Sequence, residues 1–251
     1  MEALARQQRT AFDDAPTLAR GRARRSASMA EQVFHTLRSA IVTMRLKPGE
    51  ALSEQEIAGR LHVSRQPVRE AFIKLSEDGL VRVVPQRGTF VMKISAQAVT
   101  NARFVREAVE CAIAREAAQR ITPVDTAALK ALIADQRKAE KANDGEGFFV
   151  LDEEFHRALA AAGGCAYAWK VIESAKAQMD RVRFLSVPEA TPMRRLIAQH
   201  QRILDGVVSG DGDAAAAAMQ THLREILSSL PRIAEKFPAM FDTDTHNGAA
   251  T

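Results

Sequence analysis

The chain of 251 residues is 46% hydrophobic and 26% charged, an ordinary globular composition whose length suits one large domain or two modest ones. No apolar run reaches the roughly 18 residues of a membrane-spanning helix, the arginine-bearing N-terminus lacks the apolar core of a secretory signal, and two cysteines, Cys111 and Cys165, exclude a disulfide scaffold and fit a reducing cytoplasm. The net charge of +4 is divided unevenly, with +3 over residues 1–28, +3 over 29–95 and −2 over 96–251, which points to a polyanionic partner for the first 95 residues.

Residues 1–28 lack periodicity and contain GRARRSAS, so they read as a disordered basic arm; residues 238–251 read as a flexible tail. From Met29, apolar Val33, Leu37, Ile41 and Met44 recur at spacings of three and four, an amphipathic helix ended by Lys47-Pro48-Gly49. Ser53, with Glu56 three residues on, is the capping box of a second helix whose inner face is Ile57, Ala58 and Leu61. Ser64 caps a third helix, where Pro67 is tolerated in the first turn and Val68, Ala71, Phe72 and Leu75 face inward. Asp78-Gly79 stops it. LVRVV and TFVMKI then alternate around QRG, a small hairpin. Residues 29–95 are thus expected to form a winged helix-turn-helix of three helices plus a β-hairpin.

After Ile94 the pattern is helical throughout. Helices are expected near 96–121, 123–143, 146–162, 166–187, 190–209 and 213–236, broken at prolines and glycine-containing turns. The expected fold is mainly α, with an all-α six-helix bundle over 96–237 behind the winged helix. The alanine run 214–218 reads as a site of close packing.

Each half carries a candidate chemistry. A recognition helix enters the major groove with its N-terminal residues at base edges. Here that N-terminus reads Ser64-Arg65-Gln66-Pro67-Val68-Arg69, with Arg65 and Arg69 four apart on one face. Arginine can grip guanine and glutamine adenine in bidentate fashion, and the hairpin tip Gln86-Arg87-Gly88 offers a cation and a permissive glycine to the backbone or minor groove. In the second half, Asp152 and His156 are stacked at i and i+4, about 6 Å apart along a helix axis, so a carboxylate and an imidazole can share one ion. His200 and His222 lie near buried stripes in later helices. Three histidines and one carboxylate suit Zn²⁺ or Ni²⁺ better than Mg²⁺ or Ca²⁺. The plainer alternative is a set of hydrogen-bonded structural histidines, with Asp152 paired to an arginine.

The segment LSEQEIAGRLHVSRQPVREAFIKLSEDGLVRVVPQRGTFV resembles the N-terminal domain of GntR-family transcriptional regulators. The resemblance implies that Arg65, Gln66 and Arg69 contact the operator, with the Gly88 turn at the wing. Two positions depart from the family pattern. Gln55 stands where many members carry a DNA-touching arginine, and His62 stands where glycine is usual in the turn, a left-handed position that histidine tolerates better than most residues.

Residues 98–235 are similar to the FCD effector domain of FadR-like members of that family. Arg106 and Glu110 fit R-x-x-φ-E, where φ is apolar, Asp152 and His156 fit D-x-x-φ-H, and His200 and His222 fit H-x-x-I-φ and M-x-x-H-L. Cys165 replaces a frequent asparagine. This resemblance implies metal ligation by Asp152, His156, His200 and His222. It also implies a small organic acid held at the metal, with Arg106 completing the charge pairing; Arg181 and Arg183 are further candidates for that contact.

These readings combine in a cytoplasmic, zinc-binding (or nickel-binding) transcriptional repressor that responds to a small carboxylate or sugar acid and is not an enzyme. A homodimer joined through its helical domains would read a palindromic double-stranded operator. Two alternatives are a metal-dependent hydrolase and a DNA-binding protein with a purely structural dimerisation domain. Against the hydrolase, Glu153 and Glu154 turn about 100° and 200° away from Asp152 on the helix.

Overall fold

The structure is a computed structural model that describes residues 28–242. Of the expected basic arm, only Ser28 falls within the described residues. The chain forms two compact units, one made of the residues up to Ser95 together with those from Ala239, the other of Ala96–Pro238.

The first unit begins with α1 (Met29–Val42), whose first turn is capped by Ser28 Oγ accepting from Glu31 N at 3.2 Å. Its apolar positions Val33, Leu37 and Ile41 are wholly buried. A two-residue strand β1 (Ala51–Leu52) leads into α2 (Glu54–Arg60). Ser53 Oγ caps α2 through Glu56 N at 3.3 Å, but the reciprocal half of the expected capping box is replaced: the Glu56 carboxylate turns to Arg60, 3.8 Å away. His62 takes the left-handed conformation (φ 53°) in the turn to α3 (Arg65–Glu77). Ser64 holds the cap position of α3 in extended backbone, yet its side chain makes no capping bond, contrary to the sequence expectation.

Strands β2 (Val81–Val84) and β3 (Gly88–Val91) form the expected hairpin, with Gln86 (φ 60°) and Gly88 (φ 109°) left-handed at its tip. The unexpected β1 adds to β3, giving an antiparallel sheet in the order β1-β3-β2. The expected flexible tail is corrected at its start. Pro238–Met240 form a 3-10 turn, and Phe241 then pairs in parallel with Ile94. Ile94 N donates to Met240 O, and Asp242 N to Ile94 O, both at 2.9 Å, and burying Phe241 beside Ile94 holds the segment in place. Residues beyond 242 lie outside the described residues.

The second unit is helical: α4 (Ala96–Arg120), α5 (Pro123–Lys141), α6 (Gly145–Ala162), α7 (Ala166–Ala175), α8 (Ala177–Glu189), α9 (Met193–Val208), α10 (Gly212–Leu223) and α11 (Glu225–Lys236). The six helices expected from the sequence become eight segments because two are interrupted, at Lys176 and at Arg224. Three helices start on side-chain caps: Thr122 and Asp125 make a full capping box at α5, while Asp144 and Asp211 cap α6 and α10.

Phe148, Phe155, Leu159, Leu204 and Met219 belong to one buried cluster shared by α6, α9 and α10. The alanine run does pack closely. A Cβ on Gly206 of α9 would lie 2.6 Å from the Ala215 backbone nitrogen of α10, so only glycine lets these helices approach as they do. Among the described residues, no helix is long and apolar enough to cross a membrane.

Candidate metal centre and DNA-reading face

Three helices bring together four side chains of the kind that could hold a metal ion. Asp152 and His156 come from one face of α6, His200 from α9 and His222 from α10, and each is at most 5% exposed. One ligand atom from each lies within 4.8 Å of those of the other three. The close approach at Gly206 lets α9 and α10 bring His200 and His222 together, with ring centroids 4.6 Å apart and the rings tilted by 56°. Phe155 stacks on His200 at 4.4 Å, and Trp169 lies parallel to His156 at 6.3 Å, so aromatic walls restrict both imidazoles.

Two of the three clustered histidines are hydrogen-bonded through Nδ1, while His156 Nδ1 lies against Glu110 without hydrogen-bond geometry. His200 Nδ1 lies 2.8 Å from Gln136 Oε1, His222 Nδ1 lies 3.0 Å from Gln199 Oε1, and His156 Nδ1 lies 2.5 Å from Glu110 Oε2. Gln136 donates its amide to Leu151 O and Gln199 to Glu225 Oε2, which fixes each Oε1 as the acceptor. In His200 and His222 Nδ1 therefore carries the proton, and Nε2 presents a lone pair. The three Nε2 atoms converge: that of His156 is 3.1 Å from that of His222, and that of His200 is 3.5 Å from Asp152 Oδ1. Asp152 Oδ1 and His200 Nε2 are buried and make no hydrogen bond. Acceptors gathered in this way, with their second nitrogens anchored outward, fit a divalent transition metal.

Burial pushes the Asp152 carboxyl up, but Arg183, His200 and His156 outweigh it and hold the group low. Burial drives His200 down to about 3 and His222 well below its ordinary value, so both are neutral.

A cavity of about 30 Å³ adjoins the cluster and is lined by Arg106, Phe148, Asp152, Met179, Arg183 and His222, among others. Arg106 is completely buried. Its Nε donates to Glu110 Oε1 at 2.5 Å, while Nη1 and Nη2 make no hydrogen bond. Burial pushes Glu110 up, yet the neighbouring Arg106 and His156 hold it at about 2.

Arg183 also lines the cavity, but three carboxylates engage it. It pairs with Asp152 Oδ2, with Glu153 Oε1 at 2.9 Å and with Asp180 Oδ1 at 3.3 Å. The pairing of Asp152 with an arginine and its place among the ligands coexist, because different oxygens face the two. Arg181 is buried and donates to Gln178 Oε1 at 3.3 Å; burial lowers it to about 10, and it is not among the residues lining this cavity. Glu153 is held by Lys176 and Arg183, and Glu154 by Arg157, so neither stands ready as a general base. Cys165 precedes α7 and donates its thiol to Gly163 O at 3.4 Å.

The sequence reading assigned no task to Gln136, Gln199 or Lys176 and named Glu110 only as part of a motif. The available signal was the polar residue kept at an inward helical position, as with Gln199 beside His200.

In the first unit, Gln55, Ser64, Arg65, Gln66, Arg69, Arg87 and Gly88 are all exposed. Glu54, at the start of α2, holds both Arg65 and Arg69: Oε2 accepts from Arg65 Nη2 at 2.9 Å, and the carboxylate grips Arg69 through Nε at 3.1 Å and Nη2 at 3.0 Å. The Arg69 hydrogen bond is the main cause of a lowered Glu54 carboxyl. Gln66 Nε2 donates to Glu70 Oε1 at 3.0 Å.

Comparison with known proteins covers both units. Residues 29–91 match the family described as bacterial regulatory proteins, gntR family, and residues 102–225 match the FCD domain. The chain is 44% identical over 206 residues to the HTH-type transcriptional repressor RspR of Escherichia coli (strain K12), covering 82% of this chain and 90% of that protein. A solved putative transcriptional regulator GntR from Rhodococcus sp. RHA1 is 27% identical, with a TM-score of 0.67 over 82% of this chain and 99% of that one. E. coli McbR/YncC shares the fold, with a TM-score of 0.73 at 20% identity over 84% of this chain and 100% of that one.

Proposed function

Since the chain belongs to the gntR family of bacterial regulatory proteins and carries an FCD domain, and is thus a DNA-binding transcriptional regulator, we propose that a small organic acid bound at a metal centre controls its operator affinity. The observation that carries this reading is the buried set Asp152, His156, His200 and His222 beside Arg106, whose two terminal nitrogens lack partners. Buried polar groups of that kind are costly unless a ligand satisfies them. The four residues would hold Zn²⁺, or Ni²⁺, by three nitrogens and one oxygen. When bound, such an ion supplies positive charge and Lewis acidity to an acid's oxygen.

The chain's own groups do the rest. Arg106 offers a carboxylate two parallel donors at no cost in hydrogen bonds already made. Phe148, Met179 and His222 keep the chamber narrow. At about 30 Å³ it holds roughly two water-sized groups, which suits the head of a small carboxylate or sugar acid. Arg183 positions Asp152 and closes one wall.

The acid alters operator binding only through its different affinity for the two states of the protein. Relief of repression is the expected sign, in line with the repressor to which the chain is similar. Residues 29–95 are assigned to the operator, with Ser64, Arg65, Gln66 and Arg69 at base edges and Arg87 and Gly88 at the wing; Gln55 lies beside them. Residues 96–237 are assigned to acid sensing and to homodimerisation on a palindrome.

The test is a thermal-shift screen of carboxylic and sugar acids on metal-loaded protein, followed by operator titration. Arg106→Ala is expected to abolish the acid's effect while leaving acid-free operator affinity unchanged. A full response at the wild-type acid concentration removes Arg106 from this role, and a screen without a hit removes the acid.

A further inference from the structure

Glu110 connects the two halves of this pocket. It lies one helical turn from Arg106 on α4, is 2% exposed, and gives its two oxygens to different partners. Oε1 accepts from Arg106 Nε at 2.5 Å, and Oε2 lies 2.5 Å from His156 Nδ1. The guanidinium is thereby anchored along one edge, with both Nη atoms left open. The imidazole sets Nδ1 against the second oxygen, within ion-pair distance but without hydrogen-bond geometry, and turns Nε2 toward His222. Gln136 and Gln199 hold the other two imidazoles, but they spend their amides on Leu151 O and Glu225.

We propose that Glu110 is a positioning residue that ties the acid-binding arginine to a metal-ligating histidine, so that one carboxylate sets both. This rests on the metal-and-acid reading of the pocket. A single carboxylate can serve both donors only when His156 carries its proton on Nδ1 and aims it at Oε2 and Arg106 keeps its Nε edge inward. Moving either partner moves the shared group. The metal end therefore senses the arginine before any acid arrives.

Glu110→Gln keeps the volume but leaves one acceptor oxygen. With that oxygen on Arg106 Nε, the amide NH₂ faces His156 Nδ1 and favours the tautomer protonated at Nε2, the ligating atom. The experiment is titration with Zn²⁺ alone, in the full-length protein, across wild type, Glu110→Gln, Arg106→Gln and the double variant. Loss of such a second partner typically weakens metal binding about 10–100-fold, and that loss is expected for Glu110→Gln. Arg106→Gln is expected to change Zn²⁺ affinity severalfold in the wild-type background and by less than about twofold once Glu110 is replaced. An equal factor in both backgrounds overturns the proposal, because the bare charge effect of Arg106 does not need Glu110.

The visible spectrum of bound Co²⁺ adds a readout that a purely structural role leaves still; it is expected to shift in Glu110→Gln. A second measurement needs no variant to fold. Nitrogen-15 shifts of metal-free wild type are expected to show the Nδ1–H tautomer at His156, and the Nε2–H tautomer there sinks the idea. Failure of the metal reading itself looks different: wild type then takes up no Zn²⁺.

Discussion

His156 and His222 face one another through their Nε2 atoms at 3.1 Å, with His222 held from behind by Gln199 on Nδ1 and His156 Nδ1 lying 2.5 Å from Glu110 Oε2. Two lone pairs at that distance repel, and a cation shared between them converts the repulsion into ligation. The protein as purified is therefore expected to contain one equivalent of zinc or nickel by elemental analysis. With metal about 1,000-fold above its dissociation constant, binding contributes about 4 kcal/mol, so chelation is expected to lower the melting temperature by about 10 °C. His200→Ala is expected to reduce the metal content towards zero; full occupancy in that variant would remove His200 from the ligand set.

The chelated protein is expected to lose stability on acidification, with a direction set by burial. His200 falls to about 3 and His222 well below 6.5 in the folded chain, while both return to about 6.5 on unfolding. The unfolded chain therefore binds more protons between these values. The stabilisation is complete above about pH 6.5 and is lost as the pH falls towards 3. Urea midpoints of metal-free protein measured from pH 8 down to 4 are expected to decline below about 6.5. The decline is expected to be shallower in His200→Gln.

Gly206→Ala probes the packing that brings two ligands together. The added methyl would come within 2.6 Å of Ala215 N and 2.8 Å of its Cα, both backbone atoms that cannot swing aside. Overpacking of this kind costs about 1–3 kcal/mol. Separation of α9 from α10 also parts His200 from His222. The variant is thus expected to show a lower urea midpoint together with weaker Zn²⁺ binding, and normal Zn²⁺ affinity would show that the centre tolerates the separation.

Glu54 pairs with Arg65 and Arg69, and it is expected to compete with DNA for both. Glu54→Gln removes a negative charge from the reading face and releases both cations. Affinity for scrambled duplex is expected to rise more than affinity for the operator, so the ratio between them falls. Fluorescence anisotropy with both duplexes at one fixed salt concentration measures this. Arg69→Ala is expected to cost about 1–3 kcal/mol on the operator. An unchanged ratio in Glu54→Gln would show that the carboxylate does not tune specificity.

Much of this was legible because helical periodicity projects onto faces. Asp152 and His156 share a face by their spacing, and the stripes around His200 and His222 turned both inward. The left-handed turn at His62 followed from a single unusual residue. Other features depend on tertiary packing. Spacing cannot tell that Arg183 meets three carboxylates, or that Gln136 reaches His200 across 64 residues. Strand β1, with two residues, is too short to show alternation, and it exists because β3 offers a free edge. The breaks at Lys176 and Arg224 fall at residues with no breaker chemistry. At the first, burial of Lys176 between Glu153 and Asp180 accompanies the break; at the second, Arg224 grips the Glu107 carboxylate of α4 through Nε at 3.1 and 3.0 Å and through Nη2 at 2.5 Å.

The pairing of Ile94 with Phe241 makes the DNA-reading unit discontinuous in sequence. A fragment ending at Ser95 would strip Ile94 of both backbone partners and expose an apolar side chain that is otherwise buried. Chimeras that exchange the sensing unit for another therefore need two junctions, one near 95 and one near 238. Swapping everything downstream of the winged helix would discard part of the module it was meant to keep.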